Sequence, residues 1–132
     1  MNKLAIIAVD DEKIILDSLK RQFEINFKDK FLFEFAESAE EALELINELI
    51  DDGTKIIIVL SDYQMPGMKG DEFALILRRK LPTAKVILLT GQISNDLAMD
   101  FINNNIFVNI VSKPWNENEL VTLVRNITNN VD

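Results

Sequence analysis

The stretch Ile56-Ile57-Ile58-Val59-Leu60-Ser61-Asp62-Tyr63-Gln64-Met65-Pro66-Gly67 constrains the fold more than any other. A continuous apolar run ends in one carboxylate, followed by a turn whose Pro-Gly pair cannot continue a strand. A short run rich in Ile and Val suits a strand buried on both faces, as in a parallel sheet. Asp62 then stands at the carboxyl end of that strand, where ligands gather in open α/β sheets. The plainer reading is an Asp that caps the turn.

The rest of the chain repeats this pattern. Leu4 to Val9 reads as a buried strand that stops at Asp10-Asp11-Glu12. Glu12 to Phe27 carries a helical stripe at Ile15, Leu19, Phe23 and Phe27. Phe31 to Ala36 is aromatic-rich and suits a strand nearer an edge. Ser38 and Glu41 form a capping box for a helix whose apolar face is Ala39, Ala42, Leu43, Ile46, Leu49 and Ile50. Gly53 is placed to end it in the left-handed region. The central strand runs from Lys55 to Ser61. Asp71 to Leu81 reads as a helix stopped by Pro82, and Lys85 to Leu89 as a fourth strand closing at Thr90-Gly91. Ser94 opens a weaker helix to about Asn103, which Asn103-Asn104-Asn105 breaks. Ile106 to Val111 is expected as the fifth strand; its parity puts Ile110 on one face and Phe107 on the other. Asn116 and Glu119 cap the last helix, with Trp115 and Leu120 as a hydrophobic staple and Leu120, Leu123, Val124 and Ile127 facing inward.

Five strand-then-helix units without a linker imply an α/β fold: one doubly wound (βα)5 domain over 1–132, with no effector domain in this chain. The expected topology is the flavodoxin-like parallel sheet in order 2-1-3-4-5.

Composition removes several function classes. The chain has no Cys and no His, so neither a thiolate nor a Ser-His-Asp site exists within it. It cannot be its own histidine phosphodonor. The formal net charge of −8 makes direct nucleic-acid binding a poor fit. The only cluster of three basic residues, Arg78-Arg79-Lys80, suits the last turn of a helix, where cations complement the dipole. No apolar run reaches membrane-span length, and Met1-Asn2-Lys3 leads straight into a strand. A soluble, cytoplasmic protein is the expectation.

At the carboxyl ends of the expected strands stand Asp10, Asp11, Asp62, Thr90 and Lys113, all facing one edge of the sheet. Singly, each has an ordinary structural explanation. Together they suit phosphoryl transfer. Carboxylates this close repel one another, and a hard divalent cation with oxygen ligands removes the conflict. An oxygen of Asp62 is then available as a nucleophile. Lys113 supplies a compact positive charge and Thr90 a hydroxyl, with Gly91 leaving the approach open.

Four motifs carry a resemblance to a family: Val9-Asp10-Asp11-Glu12; Asp62-x-x-Met65-Pro66 with Gly70 further on; Leu88-Leu89-Thr90-Gly91; and Lys113-Pro114. With these the chain resembles the receiver domains of two-component response regulators, over essentially its whole length. The resemblance implies a phosphorylation-dependent switch rather than an enzyme, one that catalyses only its own aspartyl phosphorylation and dephosphorylation. It implies that Asp62 accepts a phosphoryl group from a histidine kinase or histidine phosphotransfer protein. Mg²⁺, with Mn²⁺ as an alternative, would be held by Asp11 directly, Asp10 through water, Asp62 and the backbone carbonyl of Gln64. Thr90 and Lys113 would contact the phosphoryl group, as would Tyr63 and Gly91. Gln64 and Gln92 fall where the family tunes phosphoryl lifetime. Lys113-Pro114 is expected to be cis. A phosphorylation-dependent homodimer is admitted, and the output effector is open.

The chain departs from the family at Ile110, where many receivers carry a Tyr or Phe that changes rotamer on activation. The switch is therefore expected to rest on Thr90 and a stiff, β-branched Ile110 without an aromatic toggle. Three other readings compete. A haloacid-dehalogenase-type small-molecule phosphatase ordinarily has an Asp-x-Asp-x-Thr nucleophile after strand 1, whereas Asp62-Tyr63-Gln64 follows strand 3 and lacks the second Asp. A flavodoxin-like cofactor binder would need a phosphate-cradling loop where Asp10-Asp11-Glu12 stands. A receiver-like interaction module that is never phosphorylated would have no need for the full acidic, Thr and Lys set.

Overall fold

In a computed structural model of the chain, describing residues 3–129, the five apolar runs form one sheet. The ends of the expected 1–132 domain, residues 1–2 and 130–132, lie outside the described residues. The strands are β1 (Leu4–Val9), β2 (Leu32–Ala36), β3 (Lys55–Asp62), β4 (Lys85–Thr90) and β5 (Asn109–Ser112). The helices are α1 (Lys13–Phe27), α2 (Ala39–Asp51), α3 (Gly70–Lys80), α4 (Asn95–Asn103) and α5 (Glu117–Thr128). Every pairing is parallel and the order is β2-β1-β3-β4-β5, the expected doubly wound topology. Among the described residues no helix is long and apolar enough to cross a membrane.

The sheet divides the core into two layers. On one face Ile7, Val9, Val59 and Leu88 pack under α2, α3 and α4, through Ala42, Ile46, Phe73, Leu77 and Phe101. On the other, Ile6, Ile58, Leu60 and Ile87 pack under α1 and α5, through Leu19, Phe23, Leu120 and Val124. The alternation slips once. Ala5 pairs with Ile56 but Ile6 pairs with Ile58, so β3 carries one extra residue, Ile57. Ile57 and Ile58 consequently sit in the same layer. This is a bulge, one residue on a strand with no counterpart on its neighbour.

Local capping follows the sequence with one change. Ser38 Oγ accepts from Glu41 N–H at 3.1 Å, but the Glu41 carboxylate accepts from Glu37 N–H, one residue earlier than the expected box partner. Asn116 and Ser94 cap α5 and α4 by accepting from Glu119 N–H and Leu97 N–H. Gly53 adopts φ +80°, and Asn105, which breaks the chain after α4, adopts φ 57°. Ile50, expected on the inner face of α2, is substantially exposed. Val121 and Thr128 are buried on α5 instead of Leu123 and Ile127, which pack only partly.

The fifth strand differs most. It begins at Asn109, not Ile106, because the chain from Asn104 to Val108 is still turning after α4. Arg78 of α3 fixes that turn, its Nη2 donating to the carbonyls of Asn104 and Asn105. Strand parity therefore does not apply at Phe107. Its ring is buried in the same layer that receives Ile110, edge-on to Phe101 with centroids 5.3 Å apart. The expectation that Phe107 faces away from Ile110 is overturned.

The layers differ in what single substitutions cost. Phe23 is fully buried and stacks on Phe33 at 5.2 Å, whereas Ile25, two residues on, is 63% exposed. Phe23→Ala is expected to lose about 3–5 kcal/mol by equilibrium urea unfolding, and Ile25→Ala to stay within about 0.5 kcal/mol of the parent.

Candidate functional site

The strands deliver their last residues to one edge. Asp10 follows β1, and its N–H donates to Ala36 O at 3.1 Å, extending the β1–β2 ladder by one bond. Its Oδ1 accepts from Glu12 N–H at 2.8 Å, at the mouth of α1. The carboxylate is buried while that of Asp11 is exposed. Asp62 is the last residue of β3 and is buried. Its Oδ1 accepts from Tyr63 N–H at 2.8 Å, which fixes the orientation of the carboxylate.

Lys113 arrives from the far side of the sheet. Its N–H donates to Thr90 O at 2.9 Å, and Lys113-Pro114 is cis, as expected. The ammonium lies 2.6 Å from Asp10 Oδ2, 3.3 Å from Asp62 Oδ1 and 3.6 Å from Glu12 Oε1. The first contact is the shortest of the three, and it gives the buried Asp10 Oδ2 its charged partner. Thr90 is buried, and its Oγ1 reaches Gln92 O only at 3.4 Å, leaving the hydroxyl weakly committed. Glu12, Asp62, Gln64, Thr90, Gly91, Gln92 and Lys113 line one open cleft of about 480 Å³.

Of the residues singled out in sequence, Asp10, Asp11, Asp62, Gln64, Thr90, Gly91 and Lys113 are thus brought to one edge. Tyr63 is split: its N–H faces the Asp62 carboxylate, while its ring packs on Phe101, centroids 5.7 Å apart. Ile110 lies away from the cleft, half-buried among the α4-side core. Two neighbours were missed. Ser61 is fully buried and its hydroxyl donates to Asp62 O at 2.9 Å; the signal was the one polar residue inside the apolar run. Glu12 enters the Lys113 cluster, an outcome that depends on where Lys113 lands.

The site fits a hard divalent cation. Asp10, Asp11 and Asp62 each offer an oxygen, all within 4.8 Å of one another, an all-carboxylate set suited to such an ion. Electrostatics point the same way. Burial, with the Asp10 charge second, pushes the Asp62 carboxyl above its usual range despite Lys113 and the Tyr63 N–H. Burial works against the Lys113 ammonium, but Asp10 and Asp62 outweigh it and its pKa rises.

The sign of the first shift gives a test in metal-free buffer. A raised carboxyl pKa means that the native state holds the Asp62 proton more tightly than the unfolded chain does. Native stability therefore falls as pH rises from 3.8 through the raised value. Asp62→Asn is expected to be more stable than the parent at neutral pH and to lose that advantage as pH falls below this window. Chemical denaturation across pH checks it; a constant difference at all pH values would contradict the assignment.

Comparison with known proteins agrees with the fold and the motifs. The family model described as "Response regulator receiver domain" matches residues 6–125. The transcriptional regulatory protein YvrH of Bacillus subtilis is 32% identical over 126 residues, 95% of this chain and 49% of that protein. The hydrogenase transcriptional regulatory protein HoxA of Cupriavidus necator is 27% identical over 91% of this chain and 23% of its own length. The chain thus spans a quarter to a half of these curated relatives. Among solved structures, the signal receiver domain of an HD domain-containing protein from Pseudomonas fluorescens Pf-5 superposes with TM-score 0.82 at 26% identity, covering 97% of this chain and 96% of that one. With the family model matching most of its length, the chain belongs to the response regulator receiver domain family.

Proposed function

We propose that this chain is a phosphorylation-dependent switch whose acceptor is Asp62. The observation that carries the reading is the position of Asp62. Among the described residues, Asp10 and Asp62 are both buried, held by a backbone N–H and reached by the Lys113 ammonium, and of the two it is Asp62 that lines the cleft. Membership of the receiver family points to a phosphohistidine on a kinase or phosphotransfer protein as the donor, and with no His of its own the chain supplies none. A carboxylate oxygen of Asp62 attacks phosphorus, the phosphorus–nitrogen bond breaks, and the leaving imidazole keeps the electron pair and takes a proton from solvent. The product is an acyl phosphate on Asp62.

The protein groups divide the work. Tyr63 N–H holds the carboxylate in one orientation. Lys113 moves its charge from Asp10 and Asp62 onto the phosphoryl oxygens, and the weakly committed Thr90 hydroxyl turns toward them. A Mg²⁺ ion held by Asp11, Asp10, Asp62 and the Gln64 carbonyl would neutralise charge on the transferring oxygens. The chain acts on no substrate other than itself, in the cytoplasm. With a net charge of −8 these residues are a poor surface for DNA; any transcriptional output like that in the names of its relatives would lie outside the receiver domain.

Transmission runs through α4. Its single buried residue, Phe101, bridges Tyr63, beside the acceptor, and Phe107, beside β5. A helix with so few buried contacts is the easiest element to shift.

Intact mass after incubation with Mg²⁺ and acetyl phosphate tests the acceptor. One phosphoryl adduct is expected, absent without metal and absent in Asp62→Asn; an adduct that survives Asp62→Asn refutes it. Lys113→Ala is expected to slow adduct formation by roughly 100-fold. In amide hydrogen exchange with a beryllofluoride mimic of the phosphoryl group, the largest changes are expected over residues 91–107. Changes confined to α1 would refute the α4 route.

A further inference from the structure

We infer that Gly70, at the start of α3, is a positioning residue for the metal and phosphoryl site; the inference rests on the reading of Asp62 as acceptor. Backbone conformation does not explain a glycine at this position. Gly53 and Gly67 adopt positive φ, whereas Gly70 does not. It opens a helix, where alanine would be the better helix former. What sets Gly70 apart is contact. A Cβ there would lie 2.5 Å from Asp62 O, 2.9 Å from Tyr63 Cα and 3.3 Å from Asp62 C. All three are backbone atoms and cannot rotate away. At Gly53 and Gly91 a Cβ would meet nothing within 4 Å, and at Gly67 only the flexible end of Glu40.

Gly70 also holds what it touches. Its N–H donates to Tyr63 O at 2.8 Å, closing the loop between the acceptor and α3. That bond holds the Tyr63–Gln64 peptide, and two further contacts hold the Asp62–Tyr63 peptide before it. The Gly70 N–H draws in the Tyr63 carbonyl, the missing Cβ lets the helix start close on Asp62 O, and Ser61 Oγ donates to that same oxygen. The Asp62–Tyr63 peptide carries the N–H that orients the Asp62 carboxylate, and the Gln64 carbonyl lies two peptides further along the same turn. A side chain at residue 70 must displace the peptide, and with it both the acceptor oxygen and the carbonyl ligand. Misplacement of about 1 Å is enough to cost a reaction of this kind roughly 100-fold.

The test compares Gly70→Ala with Leu77→Ala in the full chain. Leu77 is fully buried on the same helix about two turns, roughly 10 Å, beyond Gly70, so its loss destabilises α3 away from the end that meets Asp62. Mn²⁺ affinity is measured by calorimetry where circular dichroism shows both variants folded, with sucrose added if needed to favour the compact state. Gly70→Ala is expected to bind Mn²⁺ about 10-fold more weakly or worse, to take up phosphoryl from acetyl phosphate correspondingly slowly, and to exchange its Tyr63 amide faster even without metal. Leu77→Ala is expected to stay within about twofold of the parent on all three, as distant independent sites do. Equal Mn²⁺ affinity in Gly70→Ala and the parent overturns the inference, as does an equal loss in Leu77→Ala. A Gly70→Ala chain that stays unfolded even in sucrose overturns it too, in favour of a purely architectural role. A parent protein that binds no Mn²⁺ removes the reading of the site itself, whereas a binding parent with an unaltered variant removes only the role of Gly70.

Discussion

The arrangement depends on one ammonium among carboxylates. Two buried carboxylates, Asp10 and Asp62, end neighbouring strands in a largely apolar sheet. Ions so placed lose solvation that only close partners restore. Lys113 is that partner, and it comes from the opposite end of the chain, beyond β5. The strand ends are consequently tied together by charge as well as by the ladder. The backbone continues the ladder one residue past each relevant strand, through Asp10 N–H to Ala36 O and Lys113 N–H to Thr90 O. The groups with chemical potential are thus held by the most rigid part of the fold, while their counter-charge is a single flexible stem that a bound cation or phosphoryl group can redirect.

The buried strands were the most legible part of the sequence. β1, β3 and β4 are apolar runs closed by a polar residue, a local signal that tertiary context has no reason to override. The site was legible for the same reason: Asp10 and Thr90 close apolar runs, Asp62 and Lys113 each follow the Ser that closes one, and a parallel sheet sends all such closures to one edge. What was not legible depends on contacts between distant segments. Ile106 to Val111 has the composition of a strand, but Arg78 holds the Asn104–Asn105 carbonyls and keeps the chain turning until Asn109. Phe107 therefore entered the core layer that strand parity denied it. The role of Ser61 depends on a hydroxyl turned toward a neighbouring carbonyl, which residue order alone does not specify.

The two faces of the sheet are anchored differently. Under α1 and α5 the Phe23, Phe27, Phe31 and Phe33 rings form one cluster, and Trp115 Nε1–H donates to Gln22 Oε1, joining the α5 entry to α1. Asn26 and Arg125 add further links between the same helices. On the other face α4 is held by one buried ring, Phe101, with Leu97 packed partly beside it, and it presents Met99 and Ile102 to solvent. Rigidity on one side and loose attachment on the other give a local event at the acceptor a preferred direction in which to spread.

The extra residue in β3 has a consequence for what the strand can lose. Ala5 pairs with Ile56 and Ile6 with Ile58, so the ladder runs on unbroken on either side of Ile57. Ile57 therefore stands outside the count that carries the pairing from Leu4–Lys55 to Val9–Ser61 and sets Asp62 level with Asp10. Its side chain can be exchanged for another apolar one at small cost. Its removal would close the bulge and leave every other pair, and the face to which each side chain points, as they are. The strand that ends in the acceptor thus holds one residue of slack, placed at the end away from the carboxylates.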